Sequence, residues 1–322
     1  MGKAEVLALL RDGEYISGEE ISRALGISRA AVWKAVNALR AEGCLIDSVP
    51  NRGYCLLYRE LNEALLLSKL PSLPWKVRVL PETDSTNNAL KRECTAPHGT
   101  VLVTGKQTGG RGRLGRQFAS PHGGVYLSVL LRPNAMPEEL LHLTPMTAVA
   151  VRRAIADCSG IEAEIKWTND LVCGGKKLCG ILTELTTEAG SGALQSVIVG
   201  IGVNCNTVIE ELPPEVRPMA TSLTQLCGKP VDPNALAAAL VQRLYEMDAA
   251  LLTQREAWMR EYEAHCITVG QTVQVVRGDE RRKAFAEGID AFGGLKVRWE
   301  DGTTETINTG EVSVRGMYGY TS

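Results

Sequence analysis

The punctuation of the first 57 residues constrains this chain more than any other feature, because helix starts and stops recur there at short intervals. Ser17-Gly18-Glu19-Glu20 has the form of a capping box, in which the serine accepts from the N–H three residues on and Glu20 reaches back. Ile21, Ala24 and Leu25 then fall on one helical face, Gly26 ends the helix and Ile27 fills the turn. Ser28 caps a second helix over 29–41, with Val32, Val36 and Leu39 facing inward. A preceding stretch over 3–11 has helical spacing in Val6, Leu7 and Leu10. Two short helices joined by a tight glycine turn predict a helix-turn-helix. Cys44-Leu45-Ile46, the basic turn Val49-Pro50-Asn51-Arg52-Gly53-Tyr54 and Cys55-Leu56-Leu57 add strand, turn and strand, which is a wing. An unrelated small helical bundle is the competing reading, and the wing argues against it.

The whole chain carries a formal charge of −2, which makes no general case for nucleic acid or membrane surfaces. A nucleic-acid site must therefore be local. Residues 1–59 hold eight Lys/Arg against seven acids, but no acid occurs from Ser28 to Arg40. Ser28, Arg29, Trp33, Lys34, Asn37 and Arg40 lie on or near the second helix, and Arg52 sits at the wing tip. These are the candidate DNA contacts. A single winged helix makes few base contacts, so DNA specificity implies a dimer on a two-fold site. A winged helix used only for protein contact is the alternative.

At 322 residues, two or three domains are expected. Nine cysteines are scattered without paired CxxC clusters, and Cys173 and Cys179, the closest pair, fit no metal spacing. Buried free thiols in a reducing cytoplasm are expected, and no metal ligands can be named. The first residues lack a cationic segment followed by a clean apolar run and cleavage site, and no run of 18 apolar residues occurs, so neither a secretory leader nor a membrane span is expected.

Beyond the wing, a helical linker over 58–73 ends at Pro71 and Pro74. Strands are expected at 77–80, 101–106, 124–131, 164–167, 177–184 and 196–204, and helices at 87–91, 137–158 and 234–263. That alternation predicts an α+β unit on a mixed, largely antiparallel sheet. Short strands at 272–277, 283–290, 295–299 and 304–308 suggest a small barrel. The division expected is 1–60, 61–266 and 267–322.

Four strings in the middle unit carry chemistry. In Gly109-Gly110-Arg111-Gly112-Arg113-Leu114-Gly115-Arg116, glycines free the backbone to approach a ligand and arginines add charge-assisted donors for phosphate or carboxylate. Such a loop is not expected to pack by itself; it is expected to order around an anion. A solvated basic loop or an RNA-binding arginine–glycine segment fits the string equally well, and the GK[ST] ending of a Walker loop is absent. Lys166-Trp167-Thr168-Asn169-Asp170, followed by Lys176-Lys177-Leu178-Cys179-Gly180-Ile181-Leu182, brings a carboxylate and a lysine to adjacent strand ends. They either converge on one site or form a weak surface ion pair. Gly200-Ile201-Gly202-Val203-Asn204-Cys205-Asn206 lets a planar ligand lie on bare backbone, or is a bulged core strand. Asp84-Ser85-Thr86-Asn87-Asn88 gathers small polar side chains at a helix start, where capping alone would explain them.

Together and in order, these strings resemble the biotin–protein ligase family over essentially the whole chain. The terminal Gly310-Glu311-Val312-Ser313-Val314-Arg315 belongs to the same match, and the winged helix makes the chain similar to the bifunctional bacterial form, ligase and biotin operon repressor. The resemblance implies a biotin/lipoate-ligase-like catalytic domain and a C-terminal SH3-like barrel. It implies that biotin and ATP, with Mg2+, give biotinyl-5′-AMP, and that biotin passes to a lysine of the biotin carboxyl carrier protein. Operator DNA and a homodimer promoted by biotinyl-5′-AMP are the other implied partners. By the same resemblance Ser85, Thr86, Asn87, Gln107 and Gly180 line the biotin site, and Arg111, Gly112 and Arg113 meet its carboxylate and the phosphate. Lys177, Arg111 and Asp170 are the expected catalytic groups. Arg113, Arg116, Lys166, Asn169, Asn204 and Arg315 are expected on the nucleotide side.

The chain departs from the family pattern in two places. Phe118 stands where a Trp is usual, losing an indole donor, and Thr168 replaces a Pro, which is expected to relax the turn. Two other functional classes compete. One is a biotin-sensing transcription factor with weak or absent ligase activity. The other is a lipoate–protein ligase, against which the arginine loop and winged helix argue.

Overall fold

A computed structural model describes residues 2–316 except 11–13, 94, 188–189, 191–192, 278–279 and 309–311, with backbone alone for 312–316. The N-terminal unit packs α1 (Lys3–Leu9), α2 (Gly18–Leu25) and α3 (Arg29–Ala41) on a hairpin of β1 (Cys44–Val49) and β2 (Gly53–Arg59). The Ser17 capping box forms, and Ser28 Oγ accepts from the Ala31 N–H at 3.2 Å. Val6, Ile21, Val32, Val36 and Leu39 are buried in a core of their own. Ala24, expected inward, is exposed, because Ile21 and Leu25 already fill the contact made by α2. At Gly53, φ is +102° and a Cβ would stand 2.1 Å from the Ile16 carbonyl oxygen. Only glycine therefore lets Ile16 pair with Tyr54 and fasten the wing to the chain before α2.

Asn62 caps α4 (Glu63–Lys69), which leads into the central unit. Its strands are β3 (Lys76–Leu80), β4 (Thr100–Thr104), β5 (Val125–Leu131), β6 (Glu164–Lys166), β7 (Asp170–Cys173), β8 (Lys176–Thr187) and β9 (Leu194–Val203). Its helices are α5 (Thr86–Arg92), α6 (Leu143–Ser159), α7 (Leu223–Cys227), α8 (Pro233–Ala250) and α9 (Arg255–Ala264). The sheet runs β3-β4-β5-β9-β8-β7-β6, with β3 and β4 parallel and the other pairs antiparallel. Period-2 alternation decides its faces. Val125, Leu127, Val129 and Leu131 of β5, with Val197, Val199, Ile201 and Val203 of β9, join α6 and α8 in the main core. Ser128, Gly200 and Gly202 therefore turn to the opposite face. There Ala89 and Leu90 of α5 cover Leu102, Leu130 and Ile198.

The C-terminal strands β10 (Thr272–Arg277), β11 (Glu280–Ile289), β12 (Leu295–Trp299), β13 (Thr304–Ile307) and β14 (Val312–Gly316) form an antiparallel sheet in the order β13-β12-β11-β10-β14. That order is open at both ends among the described residues. Val273, Val275, Ala286 and Val297 share the main core with the central sheet.

The α+β class and mixed sheet are as expected, and several boundaries move. The helix expected over 234–263 is two helices, because the Leu251 carbonyl leaves the helical ladder to meet His142 Nε2 at 2.9 Å. The helix expected from 137 begins as a single 3-10 turn and becomes α-helical at Leu143, which puts Pro145 in the first turn, where no N–H is required. Asp170 opens β7 instead of ending a turn, and β14 adds an unanticipated edge. Among the described residues no helix is long and apolar enough to cross a membrane.

Candidate functional site

Gly180 and Gly202 are register partners on β8 and β9, and Gly200 lies two residues along β9. A Cβ on Gly200 would stand 2.1 Å from Asn87 Oδ1, and one on Gly202 2.5 Å from the Phe118 ring. The glycines therefore let side chains from other elements lie directly on the sheet. Above them is a cavity of about 440 Å³. All of the candidate biotin and nucleotide residues except Arg315 line it.

The start of α5 forms one end, with Ser85, Thr86 and Asn87 all buried. Ser85 occupies the cap position but its side chain makes no capping bond. Gln107 Oε1 accepts from the Thr86 N–H at 2.8 Å instead, and Gln107 Nε2 donates to Ser120 Oγ at 3.0 Å. Capping therefore does not account for this cluster. Asn87 Oδ1 lies 2.5 Å from Ser128 Oγ, and Asn87 Nδ2 donates to Glu184 Oε2 at 2.8 Å. Glu184 also accepts from Lys91 Nζ at 2.8 Å. Burial raises its pKa, but the bonds from Lys91 and Asn87 outweigh that and hold the carboxyl below its ordinary value.

The arginine-rich string forms the second wall. Phe118 N–H donates to Gly110 O at 2.9 Å and Gly112 N–H to Arg116 O at 2.8 Å, closing a hairpin with Leu114 in the left-handed region at its tip. Its glycines permit this tight backbone-bonded turn. Arg111 Nη1 donates to Asn88 Oδ1 at 3.3 Å and lies 3.9 Å from Glu184 Oε1. Arg113 Nη1 donates to Thr168 Oγ1 at 2.8 Å and Asn169 Oδ1 at 3.0 Å. Burial lowers the pKa of the Arg113 guanidinium, opposed by the charge of Asp170. Gly112 and Arg116 complete this wall.

Lys166, Asn169, Asp170 and Lys177 form the third wall. Lys177 Nζ is 2.7 Å from Asp170 Oδ1, with both side chains mostly buried, so this is not the weak surface pair that the spacing alone allowed. Phe118 supplies an apolar wall, its ring centroid 5.5 Å from Lys177 Nζ. Thr168 does not relax its turn: Tyr262 OH donates to its carbonyl at 3.1 Å, and its hydroxyl gives Arg113 an acceptor that proline lacks.

Asn204 is buried at the far end, donating to Thr221 O at 3.0 Å. Beside it Leu212, Val216, Met219 and Ala220 form an apolar wall that sequence reasoning missed, since this stretch of turns has no periodicity to read. Glu184 was also missed; its position on the glycine-bearing face of β8 was the available signal. Arg315 lies on β14 in register with Gln274, but its side chain, and Gly310 and Glu311, fall outside the described residues. Asp170 is the carboxylate of the cavity lining, and among the described residues no three His, Cys, Asp or Glu gather as metal ligands.

In the N-terminal unit α3 exposes Arg29, Lys34 and Trp33, the last 60 % accessible. Arg52 stacks its guanidinium 4.2 Å from the Tyr15 ring centroid. Arg40 donates twice to Ile46 O, at 3.2 and 2.8 Å, and once to the half-buried Asn37, at 3.4 Å. These bonds assign Arg40 first to bracing α3 against the wing.

Comparison with known proteins points to one family. Residues 79–204 match the Biotin/lipoate A/B protein ligase family, residues 3–55 an HTH domain and residues 268–315 the Biotin protein ligase C terminal domain. The chain is 32% identical over 319 residues to the bifunctional ligase/repressor BirA of Escherichia coli (strain K12), covering 97% of this chain and 96% of that one. It is 40% identical over 227 residues to BirA of Bacillus subtilis (strain 168), covering 68% of this chain and 69% of that one. The biotin protein ligase from Aquifex aeolicus in complex with biotin and ATP superposes with a TM-score of 0.65 at 32% identity, over 75% of this chain and 99% of that chain. The chain belongs to the biotin protein ligase family.

Proposed function

We infer that this chain is a bifunctional biotin–protein ligase and DNA-binding repressor of biotin synthesis genes. The observation that carries the ligase reading is the half-buried Lys177–Asp170 pair facing the arginine hairpin across one cavity. The biotin carboxylate attacks the α-phosphorus of ATP, the bond to pyrophosphate breaks, and biotinyl-5′-AMP forms. A lysine amine of the biotin carboxyl carrier protein then attacks the acyl carbon, AMP leaves, and an amide forms.

Both partners of the first step are anions, so their repulsion must be neutralised in place. Arg111 and Arg113, with the bare backbone of Gly112 and Gly180, receive the carboxylate and α-phosphate, and Lys177 stabilises the charge in both transition states. Ser85, Thr86, Asn87 and Gln107 hydrogen-bond the ureido ring. Arg116, Lys166, Asn169, Asn204 and Arg315 serve the nucleotide. Asp170, a carboxylate of the cavity lining paired with Lys177, orients or deprotonates the incoming amine. The single carboxylate of the lining suits Mg2+ held mainly by the phosphates of the nucleotide rather than by a protein cage.

Operator DNA meets Arg29, Trp33, Lys34 and Arg52, with Ser28, Asn37 and Arg40 shaping the helix that presents them. Biotinyl-5′-AMP acts as corepressor by promoting a homodimer. The division at 60 and 266, a barrel-like closure of the C-terminal sheet and a cytoplasmic location, suited to buried thiols, complete the reading.

The test is mass spectrometry of a biotin carboxyl-carrier domain after incubation with this protein, biotin and Mg-ATP. One added biotinyl group per carrier is expected; no added mass and no pyrophosphate release would reject the ligase. Gel filtration with and without biotin plus ATP tests the coupling, which an unchanged micromolar monomer would reject.

A further inference from the structure

The Arg113 guanidinium reaches out of its own hairpin to the turn between β6 and β7. Its Nη1 donates to Thr168 Oγ1 at 2.8 Å and to Asn169 Oδ1 at 3.0 Å. Neither acceptor is loosely held. Thr168 is 1% exposed, its carbonyl is taken by Tyr262 OH at 3.1 Å, and a β-branched side chain has few rotamers to choose from. The Asn169 amide is oriented by its own Nδ2, which donates to Ile181 O at 2.8 Å. Both acceptors are neutral, so they hold a cation without cancelling its charge. Lys177, by contrast, is in direct contact with the Asp170 carboxylate at 2.7 Å. Along the hairpin, Leu114 at the tip and Arg116 are exposed, whereas Arg113 is half-buried.

We propose that Thr168 is a positioning residue that seats the arginine hairpin: its hydroxyl holds Arg113 over the cavity as a neutral tether, and so controls how long the hairpin stays closed on an acyl-adenylate. This rests on the ligase reading for its consequence, but not for the tether itself. Removing the hydroxyl leaves Asn169, the next residue in the same turn, as the acceptor. Loss of one charge-assisted bond of two shifts the open hairpin population about tenfold. Substrate binding changes less, because the groups at the α5 end are untouched.

The experiment uses full-length protein with Thr168→Val, Thr168→Ala and Thr168→Ser. Trypsin cleavage after Arg113, followed by intact-mass spectrometry without ligands, reads hairpin opening directly. Cleavage is expected to quicken about tenfold in Thr168→Val and Thr168→Ala and to return to the wild-type rate in Thr168→Ser. Escape of biotinyl-adenylate from its preformed complex is expected to follow the same order, with KM for biotin within about twofold of wild type. Circular dichroism identifies any variant that does not fold, and the two hydroxyl-less variants differ in shape, so one suffices. Wild-type cleavage in a folded Thr168→Val or Thr168→Ala variant overturns the tether. Faster cleavage that Thr168→Ser fails to restore overturns it too, by making the effect one of shape. Wild-type protein that makes no adenylate rejects the ligase reading and leaves the tryptic result to decide the tether.

Discussion

Gly200→Ala tests the site through a single methyl group. The new Cβ would stand 2.1 Å from Asn87 Oδ1, 2.9 Å from Cγ and 3.0 Å from Nδ2, whereas ordinary contact begins at 3.4 Å. Gly200 has no room to retreat, since β9 is an interior strand paired to Ser128 on one side and Leu182 on the other. Asn87 must therefore withdraw by more than about 1 Å, too far to keep its contacts with Ser128 and Glu184. One neutral bond costs about 0.5–1.5 kcal/mol and one to a carboxylate about 1.5–3 kcal/mol, so about 2–4.5 kcal/mol is at stake. The lower bound alone weakens biotin binding about thirtyfold if the wild-type position of Asn87 is what biotin requires. Isothermal titration with biotin measures this, and thermal melting separates loss of the site from loss of the fold. A variant that bound biotin within about threefold of wild type would refute the placement of Asn87 in the biotin site.

Further outcomes follow from the same geometry. Lys177→Ala should slow pyrophosphate release about 10²–10³-fold in single turnover while the protein stays folded; a rate near wild type would remove Lys177 from the mechanism. Glu184 has a folded pKa below its ordinary value, so its contribution is complete above the ordinary carboxylate range and is lost as pH falls through the lowered value. Biotin affinity should hold down to that range and decline below it, and in Glu184→Gln the share of the acid decline that Glu184 supplies should be lost, leaving that of biotin's own carboxyl group. Cys158 and Cys173 have thiols pushed up to about 11 by burial, so labelling by a thiol reagent at mildly alkaline pH should be slow for both. Rapid modification of the folded protein would contradict that burial.

Much of the site was legible because its chemistry depends on residue types that short-range sequence displays. Glycines beside arginines, and a lysine and aspartate at the two ends of one hairpin, keep their spacing whatever the fold does. The glycines of β8 and β9 were legible as glycines, but their pairing was not: that Gly180 faces Gly202 follows from register between strands 22 residues apart. Glu184 was hidden for the same reason, since its partners Asn87, Lys91 and Arg111 come from other elements. The wall from Leu212 to Ala220 was illegible in principle, because turns bury apolar residues without a period. Helix ends were misplaced where a distant group decided them, as His142 does at Leu251. In the N-terminal unit the starts of α2 and α3 were legible because their caps are local, whereas the wing strands run longer than expected and the exposed side of Ala24 depended on packing between helices.

The join between the two functions is a fixed joint and not a free tether. Asn234, buried in the first turn of α8, donates to Arg59 O at 2.9 Å and Glu60 O at 3.1 Å, and accepts from the Asn62 N–H at 2.9 Å. Lys69 at the end of α4 pairs with Asp232, the N-cap of α8, at 3.0 Å. The chain leaving the wing is thus clamped to a helix whose other side packs in the core with α6 and β5, and β5 pairs with the glycine strand β9 of the cavity. A flexible linker would convey only effective concentration between the units, whereas a clamp with three hydrogen bonds over residues 59–62 conveys orientation. Orientation is what a repressor needs if two winged helices are to meet half-sites related by a two-fold axis. In the proposed dimer, therefore, the ligated central unit sets where the DNA-binding helices point.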